Sequence, residues 1–200
     1  MTRSLFDHLG YRKYLVAKER QAFASAAVRR DDQVATFCLT LLVTGARISE
    51  VLALTPARID PENAAIVFET LKQRKNAVFR AVPVPNHLLR LLERIYRSPE
   101  GRLWPWGRTT AWKIIKAVMR DAGIADGLCK PKALRHAFAV EAGLSGVQLN
   151  MVQRWLGHAR LETTSIYAGV LGREERLLAE RTWSEIEKVM RRRISNSESK

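Results

Sequence analysis

The sequence predicts a mainly α-helical domain that carries one small antiparallel β-sheet. Apolar residues recur at three- and four-residue spacing over most of the 200 residues, whereas β-branched and aromatic residues concentrate between Ala64 and Pro85. Hydrophobic residues make up 46% of the chain and charged residues 27%, close to the globular average, so the chain is expected to fold. A chain of this length is expected to form one core rather than two.

The first strong helical pattern begins at Asp31, and Gly45 is expected to end that helix. Its apolar face carries Val34, Phe37, Cys38, Leu41 and Leu42. A second, short helix is predicted to follow at once and to stop before Pro56. These two helices place a glycine stop, an arginine and a helix start in direct succession.

A β-hairpin is predicted next, from the segments AAIVFE (64–69) and NAVFRAVPVP (76–85). The polar and basic stretch 72–76 joins the two segments and is expected to form the tip of the hairpin. This is the only sheet that the sequence indicates.

The remainder of the chain is predicted to be helical, with a loop over 98–107. Thr109 is expected to cap a helix that Gly123 ends, and Pro131 suits the first turn of the next helix. Further helices are expected over about 147–156 and about 173–193. We assign Trp112 to packing and leave a contact with DNA or a partner open for Trp104 and Trp106 in the loop.

The charge balance indicates a polyanionic partner. Thirty-four Lys and Arg residues oppose twenty Asp and Glu residues, which gives a net charge of +14 and an isoelectric point near 10.5. The two cysteines, Cys38 and Cys129, are far apart and form no CxxC pair, so neither a disulfide framework nor a zinc site is predicted. With no signal-peptide pattern and no apolar run of bilayer length, a cytoplasmic location without membrane association is expected.

The motifs exclude several classes of phosphate chemistry. The sequence contains no HExxH, no dense carboxylate group and neither of the glycine-rich phosphate-binding patterns. We therefore expect no metal and no organic cofactor. Phosphoryl transfer without metal needs cationic side chains around the phosphorus and a protein nucleophile, and Tyr167 is a well-placed candidate for the nucleophile.

Four segments resemble the motifs of the tyrosine recombinase, or phage integrase, family. TGARISEVLAL (44–54), KALRHAFA (132–139) and LGHARLETTSIYAG (156–169) are similar to its three motif boxes in order and interval. TLKQRKNAVFRAVPVP (70–85) resembles the hairpin that carries the family's catalytic lysine. The resemblance implies the fold of the DNA breaking-rejoining enzymes and site-specific recombination of double-stranded DNA through a 3′-phosphotyrosyl intermediate.

The resemblance also implies a role for each matching residue. Arg47 and Arg135 would clamp the scissile phosphate, His158 would bind the same phosphate, Lys72 would protonate the departing 5′-oxygen, and Tyr167 would attack. Within the hairpin tip, Lys75 is the alternative to Lys72.

The second box departs from the family pattern, because Lys132 stands where HxxR has its histidine. A charged lysine donates a hydrogen bond but does not accept a proton. His136 is interpreted as a structural or supporting residue, with the missing histidine's role as the alternative. Glu50, three residues after Arg47, is expected to steady that arginine's guanidinium.

The predicted organisation is a single catalytic domain over 1–200. It would comprise a helical N-terminal extension over about 1–30, a core over about 31–181, and a C-terminal helix and tail over about 182–200, with no separate core-binding domain. Apolar residues of the last helix, Ile186, Val189 and Met190, are expected to mediate self-association on DNA, and the short N-terminal part leaves room for an accessory DNA-binding protein. Two alternatives stay open: a type IB topoisomerase-like activity, and a DNA-binding protein whose catalysis is impaired.

Overall fold

The computed structural model describes residues 4–70, 78–96, 100–158 and 162–167, with only the backbone of Glu162. In chain order the elements are α1 (Ala17–Val28), α2 (Asp32–Thr44), α3 (Ile48–Leu52), β1 (Ile59–Asp60), β2 (Ala65–Glu69), β3 (Phe79–Pro83), α4 (Asn86–Glu93), α5 (Arg108–Asp121), α6 (Pro131–Leu144), α7 (Leu149–Leu156) and α8 (Glu162–Ser165). The prediction of a mainly α-helical fold with one small antiparallel sheet is confirmed. The hairpin tip with Lys72 and Lys75 and the helix predicted over 173–193 lie outside the described residues.

Helix α2 forms the centre of the core, where it packs against α1, α4 and α6. The side chain of Asp31 accepts a hydrogen bond from the Val34 amide and caps its start, as predicted, and Gly45 ends it in the left-handed conformation at φ 61°. The buried threonines Thr40 and Thr44 satisfy their hydroxyls by donating to the carbonyls four residues earlier. The helix therefore brings Gly45 and the following Arg47 to a fixed place at the end of the core.

The sheet has the order β1-β2-β3, and both strand pairs are antiparallel. Phe68 of β2 pairs with Arg80 of β3, and Ile66 pairs with Val82. Arg80 and Val82 are the buried positions of β3, so an arginine occupies the inner face of this strand. Strand β1 was not predicted, because two residues carry no periodicity that a sequence pattern can detect.

A second, smaller group of buried residues lies where α6, α7 and α8 meet. Its members are Leu5, Ala139, Val140, Ala142, Val152, Leu156 and Tyr167. The N-terminal starts of α3 and α6 and the C-terminal end of α7 lie beside this group, and they carry the residues of the candidate site.

Four local predictions differ from the structure. The N-terminal extension is helical over Ala17–Val28, which packs into the main core, whereas 4–16 forms turns and one isolated β-bridge. Gly107, not Thr109, caps α5. Trp104 is fully buried, which contradicts the contact with DNA that was left open for it. Trp112 was assigned to packing, but it is 42% exposed.

Within the described ranges, no helix combines the length and the apolar character needed to cross a membrane.

Candidate active site

The first component of the site is Arg47, which stands at the N-cap of α3. Its Nη1 donates to Oε1 of Glu50 over 2.7 Å, and its backbone amide donates to Glu50 Oε2 over 2.8 Å. The same carboxylate therefore caps the helix and orients the guanidinium of Arg47. The second of these two roles was predicted for Glu50. The Arg47 side chain keeps 25% of its surface exposed, while that of Glu50 is fully buried.

Glu50 has a second cationic partner that the sequence analysis did not identify. Arg80 Nη2 donates to Glu50 Oε2 over 2.6 Å from the inner face of β3. Burial raises the pKa of Glu50, but Arg80, the Arg47 amide and the Arg47 guanidinium together lower it below its usual range. The signal was present in the sequence, since strand alternation places Arg80 on the same side as Val82, where a charge needs a buried partner.

Arg135 is the second arginine of the site and lies in the first turns of α6. Its Nη1 donates to the Gly45 carbonyl over 2.8 Å, and its Nη2 donates to the Leu156 carbonyl over 2.7 Å. The guanidinium thus joins the end of α2 to the end of α7. Burial and the nearby Arg47 lower the pKa of Arg135 to about 9, which leaves it charged at neutral pH.

Arg47 and Arg135 line one cleft of about 600 Å³. The cleft residues that carry positive charge are Arg47, Arg108, Lys130, Lys132 and Arg135. Arg108 and Lys130 lie at the starts of α5 and α6, where unpaired backbone amides add positive potential. The exposed ring of Trp112 also lines the cleft. The arrangement suits a polyanion that passes over both arginines.

Tyr167 follows α8 and is 4% exposed. Its hydroxyl lies 2.9 Å from Nδ1 of His136, and the two rings are tilted by 54° with centroids 5.8 Å apart. Burial raises the pKa of Tyr167 to about 12, against the opposing effect of Arg135 and Arg47. Tyr167 is not among the residues that line the cationic cleft, so its phenol lies beside the cleft and not in it.

His136 is buried next to Arg135. Burial and the nearby cations, Lys132 first among them, lower the pKa of His136 to about 4, so the imidazole is neutral at physiological pH. Within the described residues its Nε2 is buried without a hydrogen-bond partner. The supporting role interpreted for His136 agrees with this arrangement, because its bond is to the Tyr167 hydroxyl.

His158 follows the left-handed Gly157 that ends α7. Its Nδ1 lies 2.9 Å from the Thr164 hydroxyl, and its backbone is tied to Gln153 through both the amide and the carbonyl. It is half-buried and lines a smaller pocket of about 280 Å³ that also contains Arg80 and Gly157. This pocket is a second cavity, distinct from the Arg47–Arg135 cleft.

The structure therefore brings together Arg47, Lys132 and Arg135 in one cleft and places His158 and Tyr167 on neighbouring segments. Lys72 stays a prediction, since it lies outside the described residues. Among the described residues, no group of three His, Cys, Asp or Glu side chains is arranged to hold a metal ion.

Comparison with known proteins agrees with this geometry. The sequence model described as the phage integrase family matches residues 13–173. Tyrosine recombinase XerA of Pyrococcus furiosus is 32% identical over 158 residues, which are 72% of this chain and 52% of that protein. The chain spans about half the length of the curated relatives that it matches.

Two solved structures show the same fold. The XerH site-specific recombinase bound to its palindromic difH substrate, in a post-cleavage complex, matches with a TM-score of 0.71 at 21% identity, over 88% of this chain and 53% of that chain. The catalytic domain of bacteriophage HP1 integrase matches with a TM-score of 0.62 at 22% identity, over 85% of this chain and 94% of that one. The fold is therefore that of tyrosine recombinase catalytic domains.

Proposed function

We propose that this chain, which belongs to the phage integrase family, is a site-specific recombinase. It would cut and rejoin double-stranded DNA through a tyrosine-linked intermediate. The observation that carries the proposal is the pair of guanidinium groups, Arg47 and Arg135, in one cationic cleft, with the phenol of Tyr167 on the segment beside it. The cleft is lined by residues of the first and second motif boxes, and the third box supplies His158 and Tyr167 on the neighbouring segments.

The two arginines are suited to stabilise a transition state. Arg135 donates to two backbone carbonyls and Arg47 to one carboxylate, so both guanidiniums are oriented before DNA arrives. Fixed donors aimed at the extra charge on a pentacoordinate phosphorus lower the barrier without reorganisation at the moment of reaction. Lys132 and His158 are proposed to bind the same phosphate.

The covalent step balances as a transesterification. Oη of Tyr167 forms a bond to phosphorus and gives its proton to water, the bond from phosphorus to the 5′-oxygen breaks, and Lys72 is proposed to give that oxygen a proton. A 5′-hydroxyl of a second end then attacks the phosphotyrosine and returns its proton to Lys72, and the tyrosine oxygen leaves and takes up a proton from water. No external energy source is needed, because one phosphoester replaces another.

The resting arrangement argues against His136 as the base for this step. Transfer of a proton from a phenol with a pKa of about 12 to an imidazole with a pKa of about 4 costs on the order of 10 kcal/mol. His136 instead holds the hydroxyl in the DNA-free protein. Movement of the phenol towards Arg135 and Arg47, which lower its pKa, favours its ionisation.

The finer aspects of organisation are also part of the proposal. We place the catalytic core at about 31–181, supported by the family match over 13–173. The proposed self-association on DNA uses Ile186, Val189 and Met190, which lie outside the described residues. Sedimentation that finds strict monomers on paired DNA sites would remove this part.

A nicked suicide substrate tests the proposed chemistry. The wild-type protein should trap DNA on a denaturing gel, Tyr167→Phe should trap none while it still binds DNA, and Tyr11→Phe, at an exposed tyrosine, should match the wild type. Absence of a wild-type adduct across varied sites and salt concentrations would favour a DNA-binding protein. An adduct without pairing of two sites would favour a topoisomerase-like activity.

A further inference from the structure

We propose that Arg80 is a positioning residue that holds Glu50, and through Glu50 the guanidinium of Arg47, in the geometry required for strand cleavage. The inference rests on the proposed function, in which Arg47 binds the scissile phosphate. Arg80 itself is 7% exposed and is not among the residues that line the Arg47–Arg135 cleft. Arg80 also lines the smaller pocket that contains His158, and its proposed effect on the reaction runs through Glu50.

Three hydrogen bonds fix the Arg80 guanidinium at the junction of three segments. Its Nε donates to the Trp155 carbonyl over 2.7 Å, its Nη1 to the Thr70 hydroxyl over 3.0 Å, and its Nη2 to Glu50 Oε2 over 2.6 Å. The first contact lies near the end of α7, the second directly after β2, and the third in α3. A planar fork can satisfy acceptors in three directions at once, which an ammonium on a flexible chain does less well.

The packing around this guanidinium leaves it little alternative position. Gly157, at φ 64°, approaches it so closely that a Cβ there would lie 2.9 Å from Nη1 and 3.0 Å from Cζ of Arg80. On another side, the Phe68 ring centroid is 5.3 Å from Cζ. Gly157, in the third motif box, thus has no Cβ that would occupy the space of the Arg80 guanidinium.

The connection to Arg47 runs through the shared carboxylate. Oε2 of Glu50 accepts from Arg80 and from the Arg47 amide, while Oε1 accepts from Arg47 Nη1. Protonation of Glu50 would remove its negative charge and reduce the acceptor capacity of one oxygen, so the carboxyl would hold Arg47 less firmly.

The described charges that act on Glu50 come from several elements. They are Arg47 beside α3, Arg80 on β3 and Arg135 on α6, and Arg108 of α5 lines the same cleft. Burial raises the pKa of Glu50, and Arg80 gives the largest opposing effect. Without the charge of Arg80, Glu50 should take up a proton at a higher pH than in the wild type, although the Arg47 amide and guanidinium still oppose the effect of burial.

The test measures the single-turnover rate of adduct formation on the suicide substrate from about pH 5.5 to about pH 8.5. Relative to the wild type, Arg80→Met should lose rate towards acid pH, about tenfold per pH unit below the raised pKa of Glu50, and should recover towards alkaline pH. Arg80→Lys, which keeps the charge, should restore most of the wild-type profile. Arg58→Met, which removes an arginine from the outer side of the same sheet, should leave the profile unchanged.

Two further variants separate positioning from a merely structural role. Glu50→Gln in the Arg80→Met background should remove the added acid limb, because no carboxyl is left to titrate. Arg80→Gln, which keeps hydrogen-bonding capacity without charge, replaces Arg80→Met if that variant does not fold by circular dichroism.

The results that would overturn this inference differ from the result that would overturn the proposed function. A uniform loss at every pH that Arg80→Lys does not rescue would overturn the inference, as would a wild-type profile in whichever charge-free variant folds. If the wild-type protein forms no adduct, the proposed function fails before Arg80 is tested.

Discussion

The two halves of the candidate site are built in opposite ways. Arg135 is bonded to two backbone carbonyls, and Arg47 is bonded to Glu50, a buried carboxylate that Arg80 also holds. The proposed nucleophile, Tyr167, follows α8, which has four residues, and among the described residues its hydroxyl makes one hydrogen bond, to His136. A helix of that length is not stable by itself, so packing alone places it.

If the proposed function holds, this contrast indicates which part of the reaction the fold prepares in advance. Groups that bind the charge of a transition state gain most from being fixed, because any reorganisation adds to the barrier. A nucleophile that must first attack, then leave, and then accept a second end gains from a position that can change. Arg47 and Arg135 therefore form the fixed half of the site, and Tyr167 with its partner His136 forms the held half.

The largest effect is expected at Arg135. Arg135→Gln should lower the single-turnover cleavage rate by about 10²–10³-fold, because it removes a fixed charged donor to the phosphate. DNA affinity should fall far less, since other cations of the cleft remain. Arg90→Gln, on the exposed side of α4, is the control. A loss of binding as large as the loss of rate would show that the arginine does not discriminate between ground state and transition state.

In the held half of the site, the burial of His136 predicts that the protein becomes less stable at acid pH. The folded-state pKa of His136 is about 4, below the ordinary value of 6.5, so between these values the unfolded chain binds more protons than the folded one. The free energy of unfolding should therefore decrease as the pH falls from about 6.5 to about 4, by at most about 1.4 kcal/mol per pH unit from this group. Urea unfolding at several pH values measures this slope. His136→Phe should reduce it, and His87→Gln, at an exposed histidine, should not; equal slopes in all three proteins would contradict the assignment.

Alanine substitutions at two glycines, Gly45 and Gly123, test how tightly the fixed half of the site is packed. Gly45 and Gly123 both have positive φ, but a Cβ at Gly45 would lie 2.5 Å from Phe138 Cδ1, whereas one at Gly123 would meet open space. Gly123→Ala should cost about 1–2 kcal/mol from backbone strain alone. Gly45→Ala should cost about 1–3 kcal/mol more from overpacking, and it should also lower cleavage, because the Gly45 carbonyl is an acceptor of Arg135. Thermal unfolding compares the two, and equal losses would mean that Phe138 moves freely.

The smallest effect is expected at the rim of the cleft. Lys130→Ala should weaken DNA binding a few-fold and reduce the slope of log affinity against log salt by about 0.9, as expected for one lost phosphate contact. The cleavage rate of bound DNA should stay unchanged. A titration over several salt concentrations provides the slope, and an unchanged slope would place Lys130 outside the DNA contact.

Sequence periodicity predicted much of this architecture because its signals are local. The apolar face of α2, its Asp31 cap and its Gly45 stop are all visible within fifteen residues. The family resemblance of the motif boxes likewise implied that Arg47 and Arg135 act together, and both line one cleft. In contrast, α8 is too short for a periodic signal, and Trp104 is buried by its bond to the Gln33 carbonyl and its contact with Phe37, which are distant in sequence.

The same distinction explains the two contacts that the analysis of the motifs missed. Glu50 was expected to serve Arg47, three residues away, but its bond to Arg80 spans thirty residues and depends on the register of β2 with β3. The bond between His136 and Tyr167 depends on how α8 packs beside α6 and α7. Local propensity does not determine either distance, and tertiary packing does.

The most direct test of the account is to identify the residue that carries the DNA in the trapped adduct. The wild-type adduct, digested with a protease and a nuclease, should give a peptide that contains Tyr167 with a nucleotide joined through its 3′-phosphate, as read by tandem mass spectrometry. A nucleotide on any other side chain, or one joined through a 5′-phosphate, would contradict the assignment of Tyr167 as the nucleophile and the strand polarity of the proposed reaction.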